Sequence, residues 1–324
     1  MARKLASQII GCIMVVGLSF GMVSCSTPED PETPDTEQPT HNEPLPSTTI
    51  DGIEVTGAFG EEPTVVVPEG WSITSTQAQI ITQGDGPAAF VTGLIQANYV
   101  GINGRTGEIF DSSWERGAPV TFALNQVVPG FQKGLNGQKV GTRVLIAMPG
   151  ADGYDANGGQ ESAGIEIGDT LVFLVDILKA QYPEPTGTQI PANDPQMPTV
   201  TGPLDAPEVT IPQGVEAPTE LKVQVLVEGD GPEITAMDTM AVNYAEYLWT
   251  GTMIRQTYGF EPLMGYLMGT IPGWQEGLVG LNVGSRVLLV VPPELGYPEG
   301  NPKIGIPEGS TSVFVIDILY SAQG

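Results

Sequence analysis

The apolar residues of the chain fall in short runs that Gly and Pro interrupt. They alternate with polar residues, or follow one another directly, in LIQANYVGI (94–102), TRVLIAMP (142–149) and TLVFLVDIL (170–178). Runs of this length between turn-forming residues predict β-strands. The 42 Gly and 29 Pro residues of the chain favour the same picture of short strands joined by turns.

One segment has the spacing of a helix instead. Residues 129–135 begin with Pro, which is favoured in the first turn, and Gly137 follows where a helix can end. Val128, Phe131 and Leu135 fall on one face at helical spacing. One short helix among antiparallel strands predicts an α+β domain of about one hundred residues.

The strand and helix signals occur twice. The repeated segments are 84–87 with 229–232, 128–146 with 271–289, and 170–178 with 311–319. The copies are separated by 145 residues between Tyr99 and Tyr244 and by 141 between Phe173 and Phe314. A collinear repeat of this length with small drift indicates two duplicated domains rather than a solenoid of short units.

A chain of 324 residues is too long for one ordinary core and suits two domains with linkers. The predicted ranges are a signal peptide at 1–24, an acidic tether at 25–48, a first domain at 49–181 with its core at 83–180, a Pro-rich linker at 182–203, and a second domain at 204–324 with its core at 228–322. The tether has almost nothing to bury, which predicts an extended, disordered stalk.

The first residues have the pattern of a bacterial secretory signal. Arg3 and Lys4 precede an uncharged apolar run from about Ile9 to Val23, and Cys25 stands at the cleavage position. This resembles a lipobox, in which the Cys is acylated and begins the mature protein. An ordinary signal peptide or a single spanning helix are the alternatives, but the run is short for a span. We therefore expect an extracytoplasmic bacterial lipoprotein, held to the membrane by the lipid on Cys25.

The charge and the rare residues exclude several classes of function. The net charge is −26, and without residues 1–24 the chain has ten basic and 38 acidic residues. Such an excess of negative charge repels nucleic acid and anionic lipid headgroups, so neither is an expected partner. His41, the only His, lies in the tether, and Cys25 would be the only Cys of the mature chain. This argues against His-based catalysis, a Cys-based metal site and a disulfide framework. We expect no metal and no cofactor.

Several linked motifs of the first domain point to one family. In order, they are YVG, FDSS, VVPGFQKGL, VGTRVLI, GY and TLVF. In sequence, spacing and residue type the first domain resembles the FKBP-type peptidyl-prolyl cis-trans isomerases over about 83–180, and the second over about 228–322. The resemblance implies two domains, each a twisted antiparallel five-stranded sheet wrapped around one short helix.

The family's reaction is rotation about an X–Pro peptide bond, against an uncatalysed barrier of about 18–20 kcal/mol. No nucleophile or metal is needed, because no bond to a heavy atom forms or breaks. The resemblance implies an apolar basin that desolvates the prolyl amide, with a few donors that fix neighbouring carbonyls. In the first domain the basin residues would be Tyr99, Phe110, Val120, Phe122, Val127, Val128, Phe131, Tyr154, Ile165 and Phe173.

Several of these positions have an implied role. Phe131 would form the basin floor, where the family usually has Trp. Tyr154 and the backbone N–H of Val128 would each bond a substrate carbonyl. Asp111 would lie at the basin edge, held by Tyr99 and Arg116, because an acid beside an apolar basin is costly unless it is paired. Phe122 is equally consistent with a basin wall and with ordinary core.

The second domain keeps most of the basin and changes its edge. The matching positions are Tyr244, Ile254, Leu263, Ile271, Trp274, Tyr297, Ile306 and Phe314. Ile254 replaces Phe110, and Arg255 replaces Asp111. The sequence therefore predicts an apolar pocket whose polar edge is rewritten.

Two functions remain open at this point. The first is a membrane-anchored prolyl isomerase that acts as a foldase on proline-containing secreted or unfolded polypeptides, with the first domain as the catalytic copy. The second is a non-catalytic protein that binds peptides bivalently, especially through the second domain. Macrolide inhibitors are further candidate ligands, and the polar, Gly-rich stretch 155–164 departs from the family pattern.

Overall fold

The computed structural model describes residues 50–192 and 194–323. The chain divides between Leu178 and Lys179 into two compact parts, called unit 1 and unit 2 below. The predicted signal peptide, the predicted lipidation site Cys25 and the tether lie outside the described residues. Across the described ranges, no helix is long and apolar enough to cross a membrane.

Unit 1 consists mainly of short strands. Its elements are β1 (Glu54–Thr56), β2 (Thr64–Val66), β3 (Gln77–Thr82), β4 (Leu94–Asn103), β5 (Ile109–Ser112), α1 (Ser113–Arg116), β6 (Val120–Ala123), α2 (Pro129–Leu135), β7 (Arg143–Met148) and β8 (Leu171–Ala180). The main sheet has the order β3-β7-β8-β4-β5, and β6 also pairs with β4. Because β5 and β6 pair with successive parts of β4, they share one edge of the sheet, and the expected five strands become six.

Helix α2 lies close against the sheet because two of its residues lack side chains. Pro129 stands in the first turn, as the sequence predicts. A Cβ on Gly130 would lie 2.6 Å from Met148, and one on Gly134 would lie 2.6 Å from Ile146, both on β7. Each contact is too short for a real Cβ, so Gly at these positions sets the distance between helix and sheet.

Unit 2 has the same arrangement of strands around one short helix, but its sheet has an additional strand, β9, at one edge. Its elements are β9 (Thr188–Gln189), β10 (Thr199–Thr201), β11 (Glu208–Thr210), β12 (Lys222–Glu228), β13 (Asp238–Leu248), β14 (Met253–Gln256), β15 (Leu263–Tyr266), α3 (Pro272–Leu278), β16 (Arg286–Val291) and β17 (Ser312–Gln323). The sheet order is β14-β13-β17-β16-β12-β9, and β15 also pairs with β13. The stretch 182–203, predicted to be a linker, therefore contributes β9 and β10 to unit 2.

Each unit also carries an N-terminal hairpin that the sequence analysis missed. The hairpins are β1–β2 and β10–β11. Val55 and Val65 of the hairpin β1–β2 pack against an apolar core that contains Val100 and Leu174. The sequence does hold a signal for this repeat, since Val-Thr-Gly at 55–57 returns at 200–202, the same 145-residue spacing as the tyrosines of β4 and β13.

A buried ion pair ties each hairpin to its sheet. Arg143 Nε donates to Asp176 Oδ1 at 2.6 Å, and Arg143 Nη1 donates to the carbonyl of Gly57 at 2.6 Å. In unit 2, Arg286 Nε donates to Asp317 Oδ1 at 2.6 Å, and its Nη2 bonds the carbonyl of Leu204 at 2.5 Å. Both arginines are buried, so each guanidinium replaces its water with carboxylate and backbone oxygens.

Candidate functional site

The aromatic side chains predicted for unit 1 do form one cluster. The ring of Phe131, on α2, lies 4.8 Å from Phe173, 5.6 Å from Phe122 and 6.3 Å from Tyr99, between centroids. Phe110 extends the cluster with an edge-on contact of 5.5 Å to Phe173. Rings at these distances and angles attract one another. The contact of Phe122 with Phe131 joins it to this cluster.

The other predicted residues of unit 1 are less directly connected. Val127, Val128, Tyr154 and Ile165 are all buried, whereas Val120 is half-buried. The carbonyl of Val128 accepts from the first turn of α2, as expected for the residue that precedes a helix. The roles of the Val128 N–H and the Tyr154 hydroxyl towards a substrate stay predictions.

The polar edge of unit 1 is a three-residue network. The Tyr99 hydroxyl donates to Asp111 Oδ2 at 2.5 Å, and Arg116 Nη1 donates to Asp111 Oδ1. Arg116 Nη2 also donates to the Tyr99 oxygen at 2.9 Å, with its guanidinium 5.3 Å from the ring centroid. Burial, with the hydrogen bond to Asp111, raises the pKa of Tyr99 above its usual value. The contacts of Asp111 expected from the sequence are present.

The local sequence explains how Arg116 reaches Asp111. Ser112 caps α1 by accepting from the N–H of Glu115, and Gly117 ends the helix with φ of 74°. One helical turn between a hydroxyl cap and a left-handed Gly reverses the chain within five residues. Arg116 is thereby directed back over the carboxylate that lies just before the turn.

A hydroxyl residue, buried in unit 1 and half-buried in unit 2, supports the key tyrosine of each unit, and sequence reasoning missed both. Ser113 Oγ accepts from the Tyr99 N–H at 2.9 Å and donates to Asn98 Oδ1 at 3.0 Å. In unit 2, Thr257 Oγ1 accepts from the Tyr244 N–H at 2.9 Å. The available signal was the Asn-Tyr pair of both copies, each followed 14 or 13 residues later by a hydroxyl residue.

Unit 2 contains a pocket of about 240 Å³ over α3. Six predicted residues line it, namely Tyr244, Leu263, Ile271, Trp274, Tyr297 and Phe314, together with Arg255, Gly269 and Thr270. Trp274 forms the floor, with its ring 5.3 Å from Tyr244 and 5.5 Å from Phe314, both edge-on. Of the remaining predicted residues, Ile306 is buried and Ile254 half-buried, and neither is part of the lining.

Arg255 organises the edge of this pocket. Its Nε donates to Glu246 Oε2 at 2.6 Å, and its Nη2 donates to the Tyr297 hydroxyl oxygen at 2.7 Å. Glu246 is fully buried and also accepts from Ser312. Burial alone would lower the pKa of Arg255, but the bond to Glu246 outweighs it and raises the pKa. The guanidinium of Arg255 therefore keeps its positive charge at any ordinary pH.

The two edges carry their acidic residue on different, neighbouring strands. In unit 1, Gly101 pairs across the sheet with Asp111. In unit 2, the same pair of positions holds Glu246 and Arg255. The carboxylate has moved to the facing strand, and a guanidinium takes its place. Glu246 was missed, although it stands two residues after Tyr244 and so shares the pocket face of β13.

The described residues show no group of three or more His, Cys, Asp or Glu side chains placed to hold a metal ion. The donors present are hydroxyls, one guanidinium in each edge and backbone N–H groups. These suit the recognition of carbonyl oxygens.

Comparisons with known proteins agree with this geometry. The FKBP-type peptidyl-prolyl cis-trans isomerase family matches residues 89–178 and 231–319, more than half of the chain. The chain belongs to this family of enzymes, which bind proline-containing peptides and catalyse rotation about the X–Pro bond.

Individual relatives match parts of the chain of different length. A probable FK506-binding protein of Corynebacterium glutamicum is 37% identical over 121 residues, which is 37% of this chain and 99% of that protein. The isomerase FkpA of Escherichia coli is 41% identical over 102 residues, 31% of this chain and 37% of its own length. The crystal structure of the three FKBP domains of wheat FKBP73 covers 77% of this chain and 96% of that one, at 17% identity and a TM-score of 0.33.

Proposed function

We propose that unit 1 is the catalytic copy of a foldase that acts outside the cytoplasm on proline-containing polypeptides. The observation that carries this is the aromatic cluster around Phe131, with the paired carboxylate of Asp111 at its edge. The cluster supplies an apolar surface for a prolyl ring. Asp111 is the acid of this site, and unit 2 has Arg255 at the same position.

A twisted amide is less delocalised than a planar one. Rotation removes charge from the carbonyl oxygen, so an apolar site disfavours the planar form more than the twisted form. A carboxylate near that oxygen works in the same direction, since it repels the charge of the planar form. An enzyme gains rate only from interactions that favour the transition state.

The test is the rate of cis/trans exchange in a short Leu-Pro peptide, measured by exchange NMR with the intact chain. We expect acceleration over the uncatalysed rate, and faster refolding of a model protein whose slow phase is proline isomerisation. Exchange that stays at the background rate would rule out the enzymatic role of this chain.

The proposed location rests on the signal pattern before Cys25, which lies outside the described residues. A lipid on Cys25, followed by the acidic tether, would hold both units at a membrane surface, where newly secreted chains fold. Metabolic labelling with a radioactive fatty acid tests this directly. Label in the wild-type chain that is absent from Cys25→Ser supports the anchor, and an unlabelled wild-type chain contradicts it. Macrolides are secondary candidate ligands of both units.

For unit 2, we propose binding without efficient turnover. Arg255 is the observation that favours it. Because Arg255 Nη2 donates to the Tyr297 oxygen, the hydroxyl proton of Tyr297 is directed elsewhere and can face a ligand. A guanidinium at this edge stabilises the charge of the planar prolyl carbonyl, whereas the carboxylate of unit 1 repels it, so Arg255 strengthens binding without lowering the barrier.

Binding at unit 2 has a direct readout. The indole N–H of Trp274 belongs to the pocket floor, so its NMR resonance should shift when a Leu-Pro tetrapeptide is added to the intact chain. The indole of Trp71 packs against the apolar core beside the hairpin of unit 1, and that of Trp249 against the core beside the hairpin of unit 2, so both serve as internal controls. A Trp274 resonance that does not move contradicts the binding role.

A further inference from the structure

The strand β15 of unit 2 leaves more apolar surface exposed than its counterpart β6 in unit 1. Leu263, Met264 and Tyr266 are 42%, 51% and 63% exposed, and Met268 just beyond the strand is 58% exposed. In β6, by contrast, Phe122 and Ala123 are buried. We call Leu263, Met264, Tyr266 and Met268 the β15 strip.

A single replacement opens this side of the pocket. Gly265 stands where unit 1 has Phe122, which packs against the floor residue Phe131. A Cβ on Gly265 would meet nothing within 4 Å. The wall that closes the cluster of unit 1 is therefore missing in unit 2, and Leu263, part of the strip, lines the pocket itself.

The strip also lacks the protection that exposed strand edges usually have. Among the described strands, β15 pairs only with β13, so one of its edges is free. Natural edge strands commonly carry charges that prevent pairing with other chains. Here no charged residue occurs between Glu261 and Glu276, in a chain of net charge −26. An exposed, uncharged cluster of Met, Leu and Tyr marks an interaction surface.

We propose that the β15 strip docks an extended, apolar and non-acidic segment of an unfolded polypeptide, beside the proline bound in the pocket of unit 2. Side chains of a strand alternate between faces, so Leu263 lies on the pocket face and Met264 and Tyr266 lie on the other. A segment along the free edge meets apolar side chains on both faces. Met side chains adapt to varied partners, and the net charge of −26 on the chain disfavours acidic segments. This proposal rests on the binding role of unit 2.

The test compares two probes on the intact chain. One is a tetrapeptide centred on Leu-Pro, and the other is a twelve-residue peptide that extends the same core with uncharged apolar residues. Affinities come from the Trp274 indole resonance. We expect the longer peptide to bind about tenfold more tightly, because it buries part of two or more large side chains. We also expect it to shift the methyl resonance of Met264.

Matched variants test whether the β15 strip is the source of the higher affinity for the longer peptide. Met264→Ser combined with Tyr266→Ser should abolish the advantage of the longer peptide and leave the tetrapeptide unaffected. Met253→Ser, at an equally exposed Met (49%) on the other edge strand β14, should leave both affinities unchanged.

Three results would overturn the proposal in distinguishable ways. Equal affinities for the two peptides, or an advantage that survives Met264→Ser with Tyr266→Ser, reject the strip while the pocket stands. A tetrapeptide that fails to shift Trp274 rejects the binding role of unit 2 and the strip with it. A sedimentation coefficient that rises with concentration, and falls in the Met264→Ser and Tyr266→Ser chain, assigns the strip to a second copy of this protein instead.

Discussion

At the scale of single residues, the two pocket edges differ through a linked pair of changes. A Cβ on Gly101 would lie 2.6 Å from Phe110 and 2.9 Å from Phe173. Unit 1 therefore has no room for a side chain opposite Asp111 while Phe110 keeps its place. In unit 2 the smaller Ile254 replaces Phe110, and Glu246 occupies the facing position. A side chain such as Glu246 therefore fits on the neighbouring strand only where the ring of Phe110 is absent.

We predict that Asp111→Ala slows cis/trans exchange about tenfold, roughly 1.4 kcal/mol in barrier, without abolishing it. Activity remains because the apolar cluster is intact and desolvates the amide in either case. Exchange NMR measures the effect.

Glu115→Ala is the control for this substitution, since it removes an exposed acid four residues away and makes the same change in net charge. Equal losses in Asp111→Ala and Glu115→Ala would indicate a general effect of charge, and complete loss in Asp111→Ala alone would indicate a more specific electrostatic role.

At the scale of elements, the hairpins depend on buried charges. Removing one member of a buried ion pair leaves the other without a partner, which costs about 3–5 kcal/mol. We therefore predict that Arg143→Ala lowers the free energy of unfolding of unit 1 by about that amount, as measured by denaturant titration. The hairpin β1–β2 should become more sensitive to protease, because two of its carbonyls lose their donor.

Lys133→Ala provides the comparison. Lys133 and Asp152 also form an ion pair, but the lysine is largely exposed, so the expected cost is below about 1 kcal/mol. Similar losses in both variants would contradict the structural role assigned to Arg143.

The segment that carries Tyr154 and Ile165 is fastened by another carboxylate. Asp169 accepts from Asn103 Nδ2 at 2.7 Å, Arg105 Nε at 2.8 Å and the N–H of Glu166 at 2.9 Å. Burial alone would raise the pKa of Asp169, but these bonds outweigh it and lower the pKa. A lowered pKa means that the carboxylate stabilises the folded state above its unfolded pKa of about 3.9 and ceases to do so as the pH falls.

We therefore predict that the wild-type chain is more stable than Asp169→Asn by a constant margin above about pH 5, and that the margin shrinks below about pH 4. Thermal unfolding recorded over this range measures it. A margin that persists unchanged at pH 3 would show that Asp169 does not act through its charge.

Sequence patterns predicted some elements well and others not at all. Helix α2 and the long strands β4, β7 and β8 were found because each has enough residues to show a period. The hairpin strands β1 and β10 have three residues each, too few for alternation to stand out. Glu246 was overlooked because a charged residue in a strand normally faces solvent, and its burial depends on Arg255 of the next strand.

At the scale of the whole molecule, duplication has produced two sites with different chemistry. Both units keep a helix over the sheet, a tyrosine whose N–H donates to a side-chain hydroxyl, and an aromatic floor. They differ in the sign of the group at the edge and in the wall that Phe122 provides and Gly265 does not. The repeat was evident in the sequence, whereas the open wall required the structure, because a single Gly among 42 carries no signal of its own.

We propose above all that unit 1 catalyses isomerisation of the prolyl bond and that unit 2 binds the peptide without efficient catalysis. The most direct test is the exchange rate of a Leu-Pro peptide with the intact chain that carries Asp111→Ala and Tyr154→Phe together, while the Trp274 resonance reports binding in the same samples. We predict that exchange falls at least about tenfold below the wild-type rate and that the peptide still shifts Trp274. Exchange that remains near the wild-type rate would show that unit 2 is catalytic and would contradict this account.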